Sequence, residues 1–547
     1  MRTGTADEAD QAGGVGAALR VRAFRLLLAV QLVNAVAVWV HVVGVQWLLT
    51  ERGESATVVA LAPAAMAVPF LLLALPVGVV VSHAARERLL VRAAVASALA
   101  AATAAGLVAT DADGAVPLLL TVLVVGVALV VVGVAWQSML PELVERPLVP
   151  AAVLLDGAVF NLARAVGPLV AGVALGLSGP LQLFAGISVT FVVCVGLLFL
   201  AGTPTTARPG RTESVLAAVR GALWFVRHSP WTRGLLVRMV LFGLPASALW
   251  ALVSLAVHDR LGLGSAGFGA TMAVIGGGSV AAALTLGRIR ARVSVHLFVA
   301  VLAGGYALTL AALGLVGEIG VLVPFLVLGG VGWVAVQSTW MMLAHQALPD
   351  WVRPRVVALL LMLFQGTQAL GALLWGAVAD LLGVGPALVV AAGVLAGYSV
   401  GLLVVGMRSS AGIEPLPTTP DPAVAALVRD AGEGALLVRY EYVVSATTAE
   451  SFRRAMDALR LSRLRTGARS WTLAPHPQHP GTWVETYVVR DRVLLLEQET
   501  SRLTVPESRL RDAVRSTTTR STGPTLILAR PEESHDRPVP RRRRRHT

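Results

Sequence analysis

The sequence predicts an all-α membrane bundle of twelve transmembrane helices in two six-helix halves, followed by a small α+β domain of the ferredoxin-like kind. Three observations predict this fold. The chain is 56% hydrophobic and only 14% charged, whereas a soluble domain carries about 25% charged residues. Apolar segments long enough to cross about 30 Å of hydrocarbon recur up to residue 407. A polar elbow also occurs once in each half, which indicates that the halves are related.

The elbow is a Leu-Pro-acid turn between two long apolar segments. Its first copy, LPELV, includes Pro141 and Glu142, and its second copy, LPDWV, occupies residues 348–352. A Gln-Ser pair precedes each copy within an otherwise apolar run, beginning at Gln137 and at Gln337. Chance recurrence of so short a turn is the alternative. If the copies are related, the chain contains two repeats of apolar spans, which is typical of transporters.

Twelve apolar segments are predicted to span the membrane. They are helices rather than open strands, because an open strand would leave backbone N–H and C=O groups without partners in lipid. The first six segments lie at 24–49, 56–82, 89–110, 116–140, 151–177 and 181–201. The second six lie at 235–258, 266–287, 296–316, 320–345, 355–379 and 386–407. This division into six and six agrees with the elbow repeat.

The loops on the two sides of the predicted membrane differ in charge. Lysine is absent, and arginines crowd the loops on one side, whereas the other side has only Arg52 and Arg260, each beside acids. By the positive-inside rule the arginine-rich side is cytoplasmic, so both termini of this multi-pass membrane protein are expected to lie inside. The net charge of +13 then reflects attraction to the anionic inner leaflet rather than nucleic-acid binding.

Composition divides the chain further. A pattern at helical spacing from Val215 predicts an amphipathic helix in the link between the halves. After a Pro-rich stretch, the order strand, helix, strand, strand, helix, strand predicts the ferredoxin-like domain, with strands near 436–444, 470–473, 483–489 and 525–529. The predicted segments are a disordered N-terminus (1–22), the first half (23–201), the link (202–234), the second half (235–408), a Pro-rich linker (409–433), the domain (434–530) and a basic disordered tail (531–547).

The membrane part contains no motif for catalysis. It has no nucleotide-binding loop, no Cys or His cluster with metal-ligand spacing and no nucleophile beside a plausible base. The single cysteine, Cys194, excludes a disulfide framework. We therefore expect no enzyme activity, no cofactor and no metal site. Transport would run on an ion gradient or on the gradient of the substrate itself.

Polar side chains deep in apolar spans are costly and usually functional. Arg164 is the deepest charge, near the middle of the fifth span, and His41 is a titratable group well inside the first. The amides either line a central cavity or bond neighbouring helices, and both roles stay open for the two titratable residues as well. The candidate transport-pathway residues are Asn34, His41, Gln46, Gln137, Asn161, Arg164, Gln337, Gln365 and Gln368.

No carboxylate is predicted deep in the bundle, because Asp156, Asp259, Glu318 and Asp380 all lie near predicted span ends. If Arg164 faces the cavity, its missing counter-ion is the substrate, which favours anionic or chelating molecules. An arginine satisfied by neighbouring helix carbonyls is the structural alternative.

The spans resemble the major facilitator superfamily, and specifically the branch of bacterial exporters that includes the enterobactin exporter and macrolide-efflux-type proteins. The resemblance covers about residues 20–408 and is most specific at FNLARAVGP, residues 160–168. It rests also on Trp39 and Trp47 in the first span, on the first elbow, and on Pro76-x-Gly78 leading to Arg86-x-Arg88. The conformational or gating residues that we assign are Gly78, Ser82, Arg86, Arg88, Pro141, Glu142, Gly167, Pro168, Gly172 and Asp380.

The chain departs from the family pattern at two positions. Ser82 stands where the family usually has an aspartate that gates the cytoplasmic side, and Val38 stands where an acid usually precedes the first-span tryptophan. Both departures put ordinary proton coupling in doubt. Some members carry a similar C-terminal domain, which also resembles dimeric monooxygenase-like domains. The histidines usual in such enzymes are absent from 491–504, so a binding or homodimerisation module is expected.

The resulting prediction is a gradient-driven exporter of a small molecule, such as a siderophore, an antibiotic or another metabolite, working by alternating access. Its expected partners are the substrate and the lipid bilayer, with no nucleic acid. The alternative is a transport-deficient membrane sensor or anchor that acts through its cytoplasmic domain. Val38 and Ser82 keep that alternative open.

Overall fold

The computed structural model describes residues 14–83, 86–201, 215–290, 292–406, 427–428 and 434–528. The predicted Pro-rich linker, the basic tail and the start of both the chain and the inter-half link fall largely outside these residues. The chain forms two compact units. The bundle unit comprises Met1–Val215, Leu236–Trp340 and Leu360–Met407, and the domain unit comprises Leu216–Leu235, Met341–Leu359 and Arg408–Thr547.

Eleven of the described helices are long and apolar enough to cross a membrane. One of them, of 53 residues, contains two spans, because Gly179 has φ 79° and ψ 175° and interrupts the helical backbone. The twelve predicted spans are therefore confirmed. The helices of the first half are α1 (Arg22–Glu51), α2 (Ala56–His83), α3 (Arg86–Ala109), α4 (Ala115–Leu143) and α5 (Val149–Ala201). Those that follow are α6 (Val215–His228), α7 (Pro230–Leu255), α8 (Ser265–Arg290), α9 (Val295–Leu315), α10 (Ile319–Ala347), α11 (Arg353–Leu382) and α12 (Val384–Val405).

The pattern of burial in the helices fits a protein that is surrounded by lipid. Leu177 and Leu381 keep 84% and 82% of their surface exposed, which suits contact with hydrocarbon rather than water. In the first half the buried side chains form a core of small aliphatic residues around Phe24 and Trp136, whose rings stack 6.5 Å apart. Apolar residues therefore lie both inside the bundle and on its surface, and the buried polar groups are the informative exceptions.

The domain unit contains a four-stranded antiparallel sheet with strand order β2-β3-β1-β4. Its elements are β1 (Leu436–Val443), α13 (Ala449–Thr466), β2 (Ser470–Pro475), β3 (Thr482–Val489), α14 (Arg492–Glu499), α15 (Val505–Ser516) and β4 (Arg520–Leu528). This order and pairing give the predicted ferredoxin-like fold. Alternate residues of β1, among them Leu436, Val438 and Tyr442, point into its core.

The prediction for the last strand was wrong at its N-terminal end. It began at Thr525, whereas β4 begins at Arg520 and includes Gly523 and Pro524. Glycine and proline normally interrupt a strand, but β4 lies at the edge of the sheet, where proline needs no donor toward a further strand. The pairing of β4 with β1 also shifts register between Arg439 and Glu441, opposite these residues.

Candidate functional site

Arg164 lies in a box of tryptophans contributed by both halves. It is in the middle of the first span of α5, about 22 Å from the start of that helix at 1.5 Å per residue. The Cζ atom of Arg164 lies 5.5 Å from the ring centroid of Trp39 on α1, 4.9 Å from Trp250 on α7 and 4.8 Å from Trp333 on α10. Each desolvated cation–π contact contributes up to about 2 kcal/mol, whereas burying a charge costs several kcal/mol. Three such contacts are similar in size to that cost, but they supply neither a counter-ion nor an acceptor for Nε of Arg164.

Several N–H donors in and beside this box have no acceptor within the described residues. They are Nε of Arg164, Nε1 of Trp250, Nε1 of Trp333 and Nε2 of Gln368. Gln368 lies one turn from Phe364 on α11, and the ring of Phe364 lies 5.6 Å from that of Trp333. A buried donor left without an acceptor costs about 1–3 kcal/mol. We refer to Arg164, Trp39, Trp250 and Trp333 as the arginine box.

The polar residues of the first span are divided between two environments. Asn34 is buried beside a small cavity in the first half, and its Nδ2 has no acceptor among the described residues. His41 is fully buried, with Nε2 3.1 Å from Oγ1 of Thr121, and its ring meets Phe184 edge-on at 5.4 Å. His41 thus bonds a neighbouring helix of the first half through Nε2, whereas its Nδ1 has no partner among the described residues.

Five hydrogen bonds join the two halves at the ends of helices on the arginine-poor side. Nε2 of Gln46 donates to the carbonyl oxygens of Trp250 and Ala251, at 3.0 and 3.4 Å. The hydroxyl of Thr50 donates to that of Ser254 at 3.0 Å. The amides of Ala56 and Thr57 donate to the carboxylate of Asp380, at 2.6 and 3.0 Å. We call this set the inter-half contact.

Asp380 occupies a favourable position for a carboxylate. Its two oxygens accept the first N–H groups of α2, which have no partner within that helix. The positive end of the helix dipole also attracts a negative charge. A residue at the end of α11 in the second half thereby holds the start of α2 in the first.

Glycines bring helices of the two halves into direct backbone contact at the same end. A Cβ added to Gly172 of α5 would overlap Cα of Gly269 on α8, so no larger residue fits there. Gly167 plays a related part within the first half, where a Cβ would lie 2.5 Å from Cβ of Trp39. Pro168 follows it inside α5. The assigned motif residues thus set the close packing beside the arginine box.

The first elbow is held within the bundle unit. Pro141 and Glu142 lie in the last turn of α4, and Oε2 of Glu142 pairs with Nη1 of Arg86 at 2.7 Å. Further up α4, Nε1 of Trp136 and Nε2 of Gln137 donate to the carboxylate of Asp156, at 2.7 and 2.6 Å. Asp156 is thus a half-buried carboxylate on α5, and the amide of Gln137 is engaged by it.

The remaining candidate residues differ in their exposure. Gln337 and Gln365 are half-buried on α10 and α11, and Arg88 is exposed on α3. Gly78 and Ser82 lie in α2 and Asn161 in α5, and their side chains fall outside the described set.

The second elbow contacts the ferredoxin-like domain, within the domain unit. The ring of Trp351 meets Phe225 of α6 edge-on at 5.7 Å, and Cζ of Arg502 lies 4.5 Å from its centroid. Nε1 of Trp224 on α6 donates to the carbonyl oxygen of Leu464 at 2.8 Å. The linking helix and the elbow therefore both pack against the domain. The sequence analysis did not single out these tryptophans.

The core of the ferredoxin-like domain contains a neutral ionic cluster. Arg463 forms ion pairs with Glu485 and Glu499, at 3.4 and 3.3 Å, and Arg511 binds Glu499 through two nitrogens at 2.5 and 3.0 Å. Burial alone would raise the pKa of Glu499, but Arg511 and Arg463 together outweigh burial and hold that pKa below its usual range. Two arginines neutralise two carboxylates, so the cluster has the chemistry of a structural core rather than of an open site.

Comparison with known proteins agrees with this architecture. A mutant form of the nucleoside transporter NupG superposes with a TM-score of 0.59 at 10% identity, over 71% of this chain and 100% of NupG. A bacterial homologue of the human lysosomal transporter Spinster, crystallised inward-facing and unoccupied, gives 0.55 at 13% identity, over 70% and 95%. A POT family transporter in complex with a thioalcohol-conjugated peptide gives 0.55 at 11%, over 69% and 95%. At such identities the likeness concerns the fold.

No match was found among curated proteins. A family model described as transmembrane secretion effector matches residues 14–529, which include both halves and nearly all of the C-terminal domain. With the twelve spans and the transporter-like fold, this match confirms the resemblance to the major facilitator superfamily. The chain is a membrane transporter of the transmembrane secretion effector family of that superfamily.

Proposed function

We propose that this transporter is a secondary-active exporter that moves a small organic molecule, such as a siderophore, an antibiotic or another metabolite, out of the cytoplasm. The arginine-rich side is the cytoplasmic side of a bacterial inner membrane, and both termini lie inside. The two halves alternate between exposing the arginine box to one side and to the other. An ion gradient drives the cycle.

The inter-half contact is the observation that carries this proposal. Its five hydrogen bonds each contribute about 1 kcal/mol net, so the whole set is worth about 5 kcal/mol. Converting a two-state equilibrium from 1:99 to 99:1 takes about 5.5 kcal/mol. The differential binding of a substrate and a coupling ion can therefore open such a contact.

The position of the contact supports loading from the cytoplasmic side. It lies at the ends of α1, α7 and α11 and at the start of α2, all on the arginine-poor, outer side. A state closed on the outer side receives its substrate from the cytoplasm. For an exporter this is the loading state, and the opening of the outer contact is the release step.

The test locks the inter-half contact in everted membrane vesicles. In a Cys194→Ser background, Thr50→Cys and Ser254→Cys place two thiols where the hydroxyl oxygens lie 3.0 Å apart. We expect everted vesicles to take up ethidium or 5-carboxyfluorescein when a pH gradient is imposed. Oxidation of the pair should abolish this uptake, and dithiothreitol should restore it. Uptake by right-side-out vesicles only, or full activity after cross-linking, would contradict the proposal.

A cross-link inside one half is the matched control. A Cβ at Gly304 on α9 would lie 3.9 Å from Cβ of Ser399 on α12, a separation that suits a disulfide. Gly304→Cys and Ser399→Cys join two helices of the second half. Because that half moves as one body in the proposed cycle, oxidation of this pair should leave most of the uptake intact.

A second candidate function is favoured by the contacts of the second elbow. Trp351 packs against Arg502 and Phe225, so a ligand on the ferredoxin-like domain could act on the elbow. A transport-deficient sensor would use this contact as its output. Such a protein would move neither dye in either vesicle orientation, although its domain would still bind a ligand. Dye movement driven by the gradient rejects this candidate.

A further inference from the structure

We infer that the arginine box binds the ionised group of an organic monoanion with a flat aromatic body, such as an aryl carboxylate or an ionised phenol. The inference rests on the proposed transport function and names the substrate class of the same site. Three properties of the box carry it: its charge, its donors and its ring surfaces.

The charge of the box is positive and uncompensated. A guanidinium stays protonated at every physiological pH. Within the described residues, no carboxylate forms an ion pair with Arg164 and its Nε has no acceptor, and its Cζ lies 4.8–5.5 Å from the centroids of three indole rings. A bound monoanion supplies the missing counter-ion. A cationic substrate would be repelled, and a neutral one would leave the guanidinium as it is.

Four unpartnered N–H donors lie in and beside the box. They are Nε of Arg164, Nε1 of Trp250, Nε1 of Trp333 and Nε2 of Gln368, and none has an acceptor among the described residues. An oxyanion offers several lone pairs and accepts from more than one donor at a time. A planar carboxylate also matches the planar fork of a guanidinium, which binds it through two parallel hydrogen bonds.

The ring surfaces around the donors suit an aromatic body. The rings of Trp250 and Trp333 meet edge to face with centroids 5.4 Å apart. Phe242, Tyr306 and Phe364 surround Trp333 at 6.4, 6.0 and 5.6 Å. Aromatic pairs prefer these offset and edge-on arrangements. A flat ring joined to the anionic group would add to this cluster without requiring further polar partners.

If Arg164 has only a structural role, its unpartnered donors have a different explanation. In that case the three indoles would suffice to hold the guanidinium, and the donors would stay unused. The two interpretations differ in whether affinity depends on the charge of a small aromatic molecule. A pair of probes of nearly equal size and shape separates them.

The experiment measures the binding of 2-naphthoate and of its neutral isostere 2-naphthamide to the full-length protein in detergent, by isothermal titration calorimetry at pH 7. We expect naphthoate to bind at least tenfold more tightly than naphthamide. Equal affinities, or no binding of either probe up to its solubility limit, would overturn the inference.

Four variants locate the effect. Arg164→Gln should remove the preference for naphthoate and leave naphthamide affinity within about twofold. Arg164→Lys should keep a preference reduced severalfold, because an ammonium keeps the charge but loses the fork. Trp333→Phe keeps the ring, loses one donor and should weaken naphthoate binding severalfold. Arg238→Gln is the charge-matched control, because Arg238 donates to the carbonyl of Gly406 outside the box and should retain the full preference.

Retention of the preference in folded Arg164→Gln protein, verified by size-exclusion chromatography, would overturn the assignment. If that variant does not fold, an unchanged naphthoate affinity in both Arg164→Lys and Trp333→Phe would overturn it as well. Failure of the anion-binding inference is distinguishable from failure of the proposed export function, because the vesicle assay detects gradient-driven movement of either dye. Gradient-driven dye movement by a protein that shows no preference for naphthoate would mean that it exports another class of substrate.

Discussion

Two arginines lie among aromatic rings, one in each unit; Arg463 is buried and Arg164 is half-buried, and they differ in their counter-ions. Cζ of Arg463 lies 5.1 and 4.7 Å from the rings of Tyr440 and Tyr487, and Arg463 also pairs with Glu485 and Glu499. Arg164 has three indole rings at similar distances and no carboxylate partner within the described residues. The aromatic surroundings are alike, so the rings do not distinguish the two roles.

The difference teaches how a structural arginine can be told from a functional one. In the ferredoxin-like domain the fold itself brings carboxylates from β3 and α14 to Arg463. In the bundle the described residues supply no carboxylate to Arg164, and the counter-ion that we infer for it is a bound anion. The comparison therefore predicts opposite responses to the removal of each charge, and the following experiments sharpen or break it.

The largest effect is expected at Arg463. Arg463→Gln leaves Glu485 and Glu499 short of a partner in the core of the domain, and breaking a buried ion pair costs about 3–5 kcal/mol. Hydrogen–deuterium exchange of the full-length protein, followed on peptides from 436–489, should show that the free energy of opening of the strand amides falls by that amount. Arg454→Gln is the control, because its pair with Glu450 is 73% and 87% exposed and is worth at most about 1 kcal/mol. Equal effects of the two variants would contradict the structural role of Arg463.

Acid should weaken the same cluster. Arg511 and Arg463 hold the pKa of Glu499 below its usual range against the effect of burial. A carboxylate with a depressed folded pKa contributes stability above its unfolded pKa, about 4.3 for glutamate, and this stability is lost as the pH falls through the folded pKa. Strand protection should therefore stay constant from pH 7 to about 5 and fall below about pH 4.

The Glu499→Gln variant tests the origin of this acid response. At pH 7 this variant should show weaker protection of the amides of β1 and β3. Below about pH 4 its protection should fall less steeply than that of the unchanged protein. An unchanged acid profile in that variant would mean that another group, such as Asp491, whose pKa the Leu494 amide and Arg490 lower against the effect of burial, dominates the response.

A smaller effect is expected where the second elbow meets the domain. Trp351→Leu gives the second elbow the residue that the first has at Leu143. It removes one cation–π contact and one aromatic pair, together about 1–3 kcal/mol. Exchange of peptides around Arg502 and of α6 should increase accordingly. Trp351→Phe keeps a ring and should change exchange by less than half as much, since the indole N–H has no acceptor among the described residues.

Much of this architecture could be predicted from the sequence because it depends on local patterns. Apolar length determined the spans, alternation marked β1, and the elbow repeat divided the halves correctly. The arginine box was only half predictable. Arg164 stood out as a charge in an apolar span, but Trp250 and Trp333 become its neighbours only through packing between helices distant in the chain. Their depth was a usable signal, since membrane tryptophans are enriched at the interfaces.

Gln46 and Asp380 show another limit of the sequence. Gln46 is assigned to the transport pathway because it lies in the first span. In the structure its side-chain amide donates to backbone carbonyls of the other half at the arginine-poor end. Asp380 is assigned as a gating residue, and its partners are backbone amides of Ala56 and Thr57. Backbone partners leave no trace in side-chain identity, so no residue pattern points to them.

The smallest effect on folding is expected at Arg164, and it is the most informative. Removing a half-buried, unpaired charge relieves its partial desolvation, which offsets the loss of three cation–π contacts. The melting temperature of Arg164→Gln in detergent should therefore lie close to that of the unchanged protein, although its anion preference is lost. Arg463→Gln should show the reverse, with a destabilised domain and an unchanged preference for naphthoate. If Arg164→Gln destabilised the bundle as strongly as Arg463→Gln destabilises the domain, both arginines would be structural, and the donors beside Arg164 would need no ligand to explain them.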